Sequence, residues 1–119
     1  EIEKLFKKTL ENQKKYGFGA CAVICKKTKK WLGFCGLWRE FGDKLDFGYR
    51  FFKKFWGQGY ATEAVSFCLD YLREKYPNEN IYACISPKNL ASVRVAEKSG
   101  MKFIKEDIYK GLKVLKYKI

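Results

Sequence analysis

With 119 residues, 47% of them hydrophobic, the chain has enough apolar material for one core but not two, so a single domain over residues 1–119 is expected. No apolar run nears the roughly 20 residues that span a bilayer, and no signal-like segment opens the sequence, so a soluble, cytoplasmic protein without a membrane partner is expected. The formal net charge of +12 is scattered over the whole chain, and it reads as a solvated basic surface, an attraction to nucleic acid or an acidic protein, or a preference for a polyanionic cofactor.

Ile2, Leu5, Phe6 and Leu10 recur at helical spacing, so residues 1–16 are expected as a helix ending at Gly17. Strands follow at residues 19–26 and 31–38, joined by the basic turn Lys27-Thr28-Lys29-Lys30. A third, residues 44–52, comes after the turn at Phe41-Gly42-Asp43 and completes an antiparallel meander. Ala61, Ala64, Val65, Cys68, Leu69 and Leu72 mark one face of a helix running to about Tyr76, where Pro77 and Asn78 stop it. The apolar run Ile81–Ile85 is a buried strand, residues 89–99 a short helix closed by Gly100, and residues 102–108 and 112–118 a hairpin turning at Lys110-Gly111. Strand, long helix, strand is a crossover between parallel neighbours, so the sheet is mixed.

The five cysteines (Cys21, Cys25, Cys35, Cys68, Cys84) include no C-x-x-C pair and the chain has no histidine, which leaves poor ligand material for zinc and no metal site expected. All five lie in apolar surroundings and are expected as reduced core residues.

Residues 54–64, KFWGQGYATEA, carry the strongest functional signal. Gly57 and Gly59 have no Cβ, so the backbone can turn tightly there and let a ligand approach its N–H groups. The first turn of the helix, from Tyr60 and Ala61 to Thr62, then offers unpaired N–H donors and the positive end of the helix dipole, which together make an anion site. Glycines before a helix are more often a plain strand-to-helix connection, so the surrounding wording has to decide. Phe47-Gly48-Tyr49-Arg50 reads as a strand leading into the turn. The pattern Lys54-x-x-Gly57-x-Gly59, with Trp56, Gln58, Tyr60, Ala61 and Thr62 around it, resembles the pyrophosphate-binding segment of the GNAT N-acetyltransferases, whose usual form is Gln/Arg-x-x-Gly-x-Gly/Ala. Lys54 departs from the usual first residue, keeping the charge of Arg but not its planar fork.

The resemblance implies an α/β fold with a mixed, mostly antiparallel sheet and helices on both faces. The family's N-terminal strand and first helix have no counterpart in front of residue 1, so the domain is expected to be N-terminally truncated or shortened. The likeness covers residues 1–119 in element order and residues 47–62 and 86–103 in specific wording.

A second segment, SPKNLASVRVAEKSGMKF, is similar to the acetyl-CoA site of the branch that includes the ribosomal-protein N-terminal (alanine and serine) acetyltransferases. Asn89 and Ser92, three apart, share a helix face. The resemblance implies that Asn89 helps hold the pantetheine arm and that Ser92 lies near the sulfur and protonates the departing thiolate. Equally, Asn89 is a good N-cap with Ser92 at N3, and both residues could serve the helix end alone. Gly100 needs only a helix C-terminus to explain it. Trp56 reads as packing, and Phe51, Phe52, Phe55 and Tyr60 either line a pantetheine channel or belong to the core.

The implied chemistry is direct attack of a primary amine on acetyl-CoA within a ternary complex, with much of the rate coming from positioning. An oxyanion donor is expected from a backbone N–H on the third strand near Tyr49, Arg50 and Phe51. Without histidine the base is a carboxylate, a tyrosine or water; Asp46 is the first carboxylate candidate and Glu40 the second. A protein N-terminus or a small amine fits as acceptor better than spermidine, because a surface of this charge repels a polycation. Two rival readings stay open: a non-catalytic acyl-CoA-binding domain, and a basic RNA-binding module, which would need aromatics and lysines interleaved on an exposed strand face where these aromatics mostly read as core. With no strand before it, the edge of residues 19–26 would invite another chain, and a dimer is one way to cover it.

Overall fold

The computed structural model describes residues 20–39 and 45–119. Strands β1 (Ala20–Ile24), β2 (Trp31–Arg39) and β3 (Leu45–Phe51) form the expected antiparallel meander, with Cys21 opposite Cys35 and Cys35 opposite Tyr49. Residues 32–37 of the middle strand are buried throughout, which is why it reads as a continuous apolar run rather than an alternating one. A 3₁₀ turn, Lys53–Phe55, which nothing in the sequence announces, leads from β3 towards the glycine loop. Helix α1 (Tyr60–Lys75) then buries Val65, Leu69 and Leu72 on one face.

Strand β4 (Ile81–Ile85) buries Ile81, Ala83 and Ile85 and turns Tyr82 and Cys84 to the other face. Helix α2 (Leu90–Lys98) and strands β5 (Lys102–Tyr109) and β6 (Leu112–Lys118) complete the chain. Among the described residues the strands make one six-stranded sheet in the order β1-β2-β3-β4-β6-β5. The hairpin thus enters the sheet by its second arm. Burial explains the choice: β6 carries the buried Val114 and Tyr117, whereas residues 102–106 of β5 are exposed and include Lys102, Lys105 and Glu106, side chains suited to an edge.

Only β3 and β4 run parallel, and their ladder is short, with Leu45 against Ile81 and Asp46 against Tyr82. Beyond that point the two strands are no longer paired, and a cleft opens beside residues 49–51. The other neighbouring pairs are antiparallel, so the sheet is mixed and mostly antiparallel. Cys35, Leu37 and Phe47 of the sheet meet Val65 and Leu69 of α1 and Ala96 of α2 in one core.

Two expectations are corrected. Only Cys35 of the five cysteines is buried; Cys68 and Cys25 are half-buried, and Cys21 and Cys84 are exposed. Cys84 sits at an outward position of β4 and Cys21 on the strand that ends the described sheet, so apolar sequence neighbours did not imply burial. Nor do the aromatics mostly face the core: Phe34, Phe47, Phe51 and Tyr117 are buried, but Trp56, Phe67, Tyr71 and Phe103 are exposed. The exposed rings are spread over a loop, α1 and β5 rather than gathered on one strand face. The helix expected at residues 1–16, the turn at 41–43 and Glu40 lie outside the described residues.

Candidate active site

A cavity of about 660 Å³ opens where β3 leaves β4, bounded by the end of β3, the loop after it, the start of α1 and one side of α2. Backbone geometry sets its floor. The Phe52 N–H donates to the Leu32 carbonyl at 3.0 Å, and with Gly33 opposite Phe51 this makes positions 50 and 52 the ones bonded to β2. Tyr49 and Phe51 therefore turn their N–H and C=O groups the other way, into the cleft that β4 has vacated. The Phe51 carbonyl is taken there by the Trp56 indole N–H at 2.9 Å. Trp56, though 47% exposed, is thus a strut that pins the loop across the end of β3.

Gly57 and Gly59 both adopt the left-handed conformation, with φ of 77° and 83°, and a Cβ built on either meets nothing within 4 Å. Left-handed backbone that glycine adopts cheaply, with open space above it, leaves room for a ligand to approach the N–H groups there. Gly59 is the N-cap of α1 and supplies no side-chain oxygen to the first-turn N–H groups. The start of α2 differs. There the Asn89 Oδ1 accepts the Ser92 N–H at 3.1 Å, a conventional cap. The uncapped donors of α1, together with Tyr60, Ala61 and Thr62, face the cavity.

Asn89 and Ser92 also line the cavity, so one pair of residues both caps α2 and reaches the site. With Oδ1 committed to the cap, the Asn89 amide NH₂ is the part left for a ligand. The Tyr49 hydroxyl donates to the Ser92 carbonyl at 2.5 Å. Burial, with a further push from Cys35, raises the Tyr49 phenol above its ordinary range, so it stays a neutral donor and is no general base.

Of the expected site residues, Tyr49, Arg50, Phe51, Trp56, Gly57, Gly59, Tyr60, Ala61, Thr62, Asn89 and Ser92 come together on this cavity, and Lys54, Gln58 and Asp46 do not. The 3₁₀ turn puts Lys53 on the lining instead of Lys54, whose Nζ lies 5.2 Å from the Phe55 ring centre, while the Gln58 side chain bonds back to the Lys54 carbonyl at 3.4 Å. Asp46 lines a separate hollow of about 430 Å³ with Tyr82, Cys84 and Lys116, on the sheet face turned away from α1 and α2. Sequence reading missed Lys53, Arg94 and Lys98 on the cavity. Arg94 and Lys98 were recoverable, since Ala91, Arg94, Val95 and Lys98 form one helical stripe beside Ser92.

Strand pairing that stops beside a glycine-opened, uncapped helix, with cations on the rim, gathers backbone donors and positive charge around one cavity. Residues 1–102 match the family model described as an acetyltransferase (GNAT) domain, and the chain belongs to that family. It is 39% identical over 97 residues to the uncharacterized protein YkkB of Bacillus subtilis, spanning 79% of this chain and 56% of that protein. Its fold superposes on an acetyltransferase from Agrobacterium tumefaciens with a TM-score of 0.84, 24% identity and coverage of 98% of this chain and 69% of that one. It superposes likewise on a ribosomal-protein-S5-alanine acetyltransferase from Vibrio fischeri with a TM-score of 0.77, 18% identity and coverage of 98% and 68%. At those identities the two structures speak for the fold alone. The chain spans little more than half the length of YkkB.

Proposed function

We propose that this domain is an acetyl-CoA-dependent N-acetyltransferase that passes an acetyl group to a primary amine. The observation that carries the reading is the uncapped N-terminus of α1, opened by two left-handed glycines onto a cavity whose rim holds Arg50, Lys53, Arg94 and Lys98. That arrangement fits a diphosphate: backbone donors and the helix dipole meet the anion, and the rim cations neutralise what remains. The Asn89 amide and the rings of Phe52 and Tyr60 offer a mixed polar and apolar wall for the pantetheine arm.

Bound acetyl-CoA supplies an activated thioester. The chain's own part is to position it and to manage charge. The cleft-facing N–H groups of Tyr49 and Phe51 are rigid donors, held by the β2–β3 ladder, for an oxygen that gains negative charge. Ser92 lines the same cavity, and its hydroxyl is the group proposed to protonate a leaving thiolate. Tyr49 braces Ser92 rather than exchanging protons itself. An amine seated in the hollow across the sheet would find the Asp46 carboxylate as its base. The likeness of the segment at Asn89 to the ribosomal-protein branch favours a protein N-terminus as acceptor.

Calorimetry with acetyl-CoA on the unsubstituted chain and on Gly59→Trp tests the proposal, because the indole would occupy the open space over the cradle. Equal affinity in two folded proteins would overturn it. Binding without transfer to any amine would instead mark a non-catalytic acyl-CoA-binding domain.

A further inference from the structure

Strand β3 is held from both sides over only part of its length. Its ladder to β4 ends at Asp46 against Tyr82, whereas its ladder to β2 runs on to Phe51 against Gly33, and the Phe52 N–H still donates to the Leu32 carbonyl at 3.0 Å. Along residues 47–51 it is therefore β2 that sets where the strand lies. With it β2 sets where the cleft-facing N–H groups of Tyr49 and Phe51 stand.

Two departures from regular strand geometry fall at this point of β2. Leu32 is an extra residue: Val23 and Ile24, adjacent on β1, stand opposite Gly33 and Trp31, so a bulge bends β2 beside the end of β3. Its neighbour Gly33 brings the two backbones closer than a side chain would allow. A Cβ there would lie 2.1 Å from the Arg50 carbonyl oxygen and 2.7 Å from the Phe51 Cα, both main-chain atoms that cannot swing aside. Gly33 also lines the main cavity.

We propose that Gly33 and the Leu32 bulge are a positioning device for acetyl transfer: by letting β3 sit close on β2, they fix how the Tyr49 and Phe51 N–H groups meet the thioester oxygen. The inference rests on the role given above to those two donors. Gly33 and Leu32 act through the main chain of β3, not on the reacting atoms. A hydrogen bond to developing charge weakens steeply with length and angle, and a misplacement of about 1 Å costs about 100-fold in rate. Acetyl-CoA binding is separable, because the donors proposed for its diphosphate lie on the glycine loop and α1, beyond the 3₁₀ turn.

Gly33→Ala forces β2 and β3 apart at residues 50–51. Transfer from saturating acetyl-CoA to a short peptide with a free N-terminal alanine should fall about 100-fold, with acetyl-CoA affinity by calorimetry kept within about twofold. Amide hydrogen exchange at Phe52 should quicken about tenfold as its bond to Leu32 stretches. A glycine that serves strand packing alone predicts a lower thermal midpoint with turnover per folded molecule preserved. If Gly33→Ala does not fold, Phe52→Pro puts the same question: Phe52 has φ of −62°, which proline matches, and the N–H that bonds Leu32 is lost. It should slow transfer at saturating acetyl-CoA by a similar factor. A normal rate in either folded variant, or a rate that falls only as acetyl-CoA affinity falls, would overturn the proposal. An unsubstituted chain that acetylates nothing would remove the functional reading instead, and the Phe52 amide then decides the hold of Gly33 on β3: exchange that does not quicken in Gly33→Ala overturns it.

Discussion

The Tyr49 hydroxyl donates to the main-chain carbonyl of Ser92 at 2.5 Å, a bond between residues 43 apart in sequence that ties β3 to the first turn of α2 across the cleft. It fixes the spacing between two walls of the cavity. The backbone donors of β3 and the Ser92 hydroxyl are thereby held on one frame, without either being the bonding group.

Removing that hydroxyl should loosen the frame. Tyr49→Phe is expected to cost about 1 kcal/mol of stability, the usual worth of one such bond, and to weaken acetyl-CoA binding while leaving the ring packing on Phe47 intact. The alkaline limb gives a cleaner signature. Burial, then Cys35, raises the phenol, so above its unfolded value of about 10 the unfolded chain releases a proton that the folded one keeps, and stability falls as pH rises. Tyr49→Phe lacks this contribution. Between about pH 8 and about pH 11 its thermal midpoint should fall less than that of the unsubstituted chain, and parallel falls would show that Tyr49 is not buried as described.

Arg94 and Lys98 stand on the cavity side of α2 and are exposed there. Each substitution to Ala should weaken acetyl-CoA by about fivefold, the scale of one exposed ion pair. Paired, they should also flatten the dependence of affinity on salt, because two screened contacts are gone. Calorimetry at two ionic strengths measures both effects, and an unchanged slope would remove these cations from the phosphate site.

Much of this molecule was legible because its punctuation is local. Pro77, Gly100 and Lys110-Gly111 bound the periodic runs, and β4 falls on Ile81–Ile85 as the apolar run dictates. The glycine cradle was legible for the same reason, since a left-handed turn before a helix demands glycine whatever surrounds it. Placements that depend on distant packing were not legible. Motif spacing pointed to Lys54, but the 3₁₀ turn puts Lys53 on the cavity instead. Asp46 is on the expected strand, but the pleat sends it to the other face of the sheet. The Tyr49–Ser92 bond joins two segments whose approach exists only after β4 and α2 are in place.

That placement of Asp46 separates its test from the cofactor's. Asp46→Asn should leave acetyl-CoA affinity unchanged, because the residue does not line the main cavity. As the base for the incoming amine it should lower turnover by about 100-fold, within the span of lost general-base catalysis. Unaltered turnover would pass the role to water.

The pair Asn89 and Ser92 separates capping from catalysis within a single helix turn. The cap runs from the Ser92 main-chain N–H to the Asn89 carboxamide oxygen, so it needs the Asn89 side chain and only the backbone of Ser92. Asn89→Ala should accordingly cost about 1 kcal/mol of stability and weaken acetyl-CoA as well, since one side chain serves both purposes. Ser92→Ala removes no cap bond and should leave the thermal midpoint nearly where it was. Its hydroxyl has a separate value at the cavity wall: held beside a developing thiolate, a serine O–H donates or relays a proton at little reorganisation cost. Loss of that donor should slow single-turnover acetyl transfer by about 10- to 1000-fold with acetyl-CoA affinity preserved, the pattern of an interaction made only in the transition state. A normal single-turnover rate in Ser92→Ala, measured beside an Asn89→Ala protein that shows the stability loss, would reduce this turn of α2 to a helix cap and leave the thiolate to be protonated by solvent.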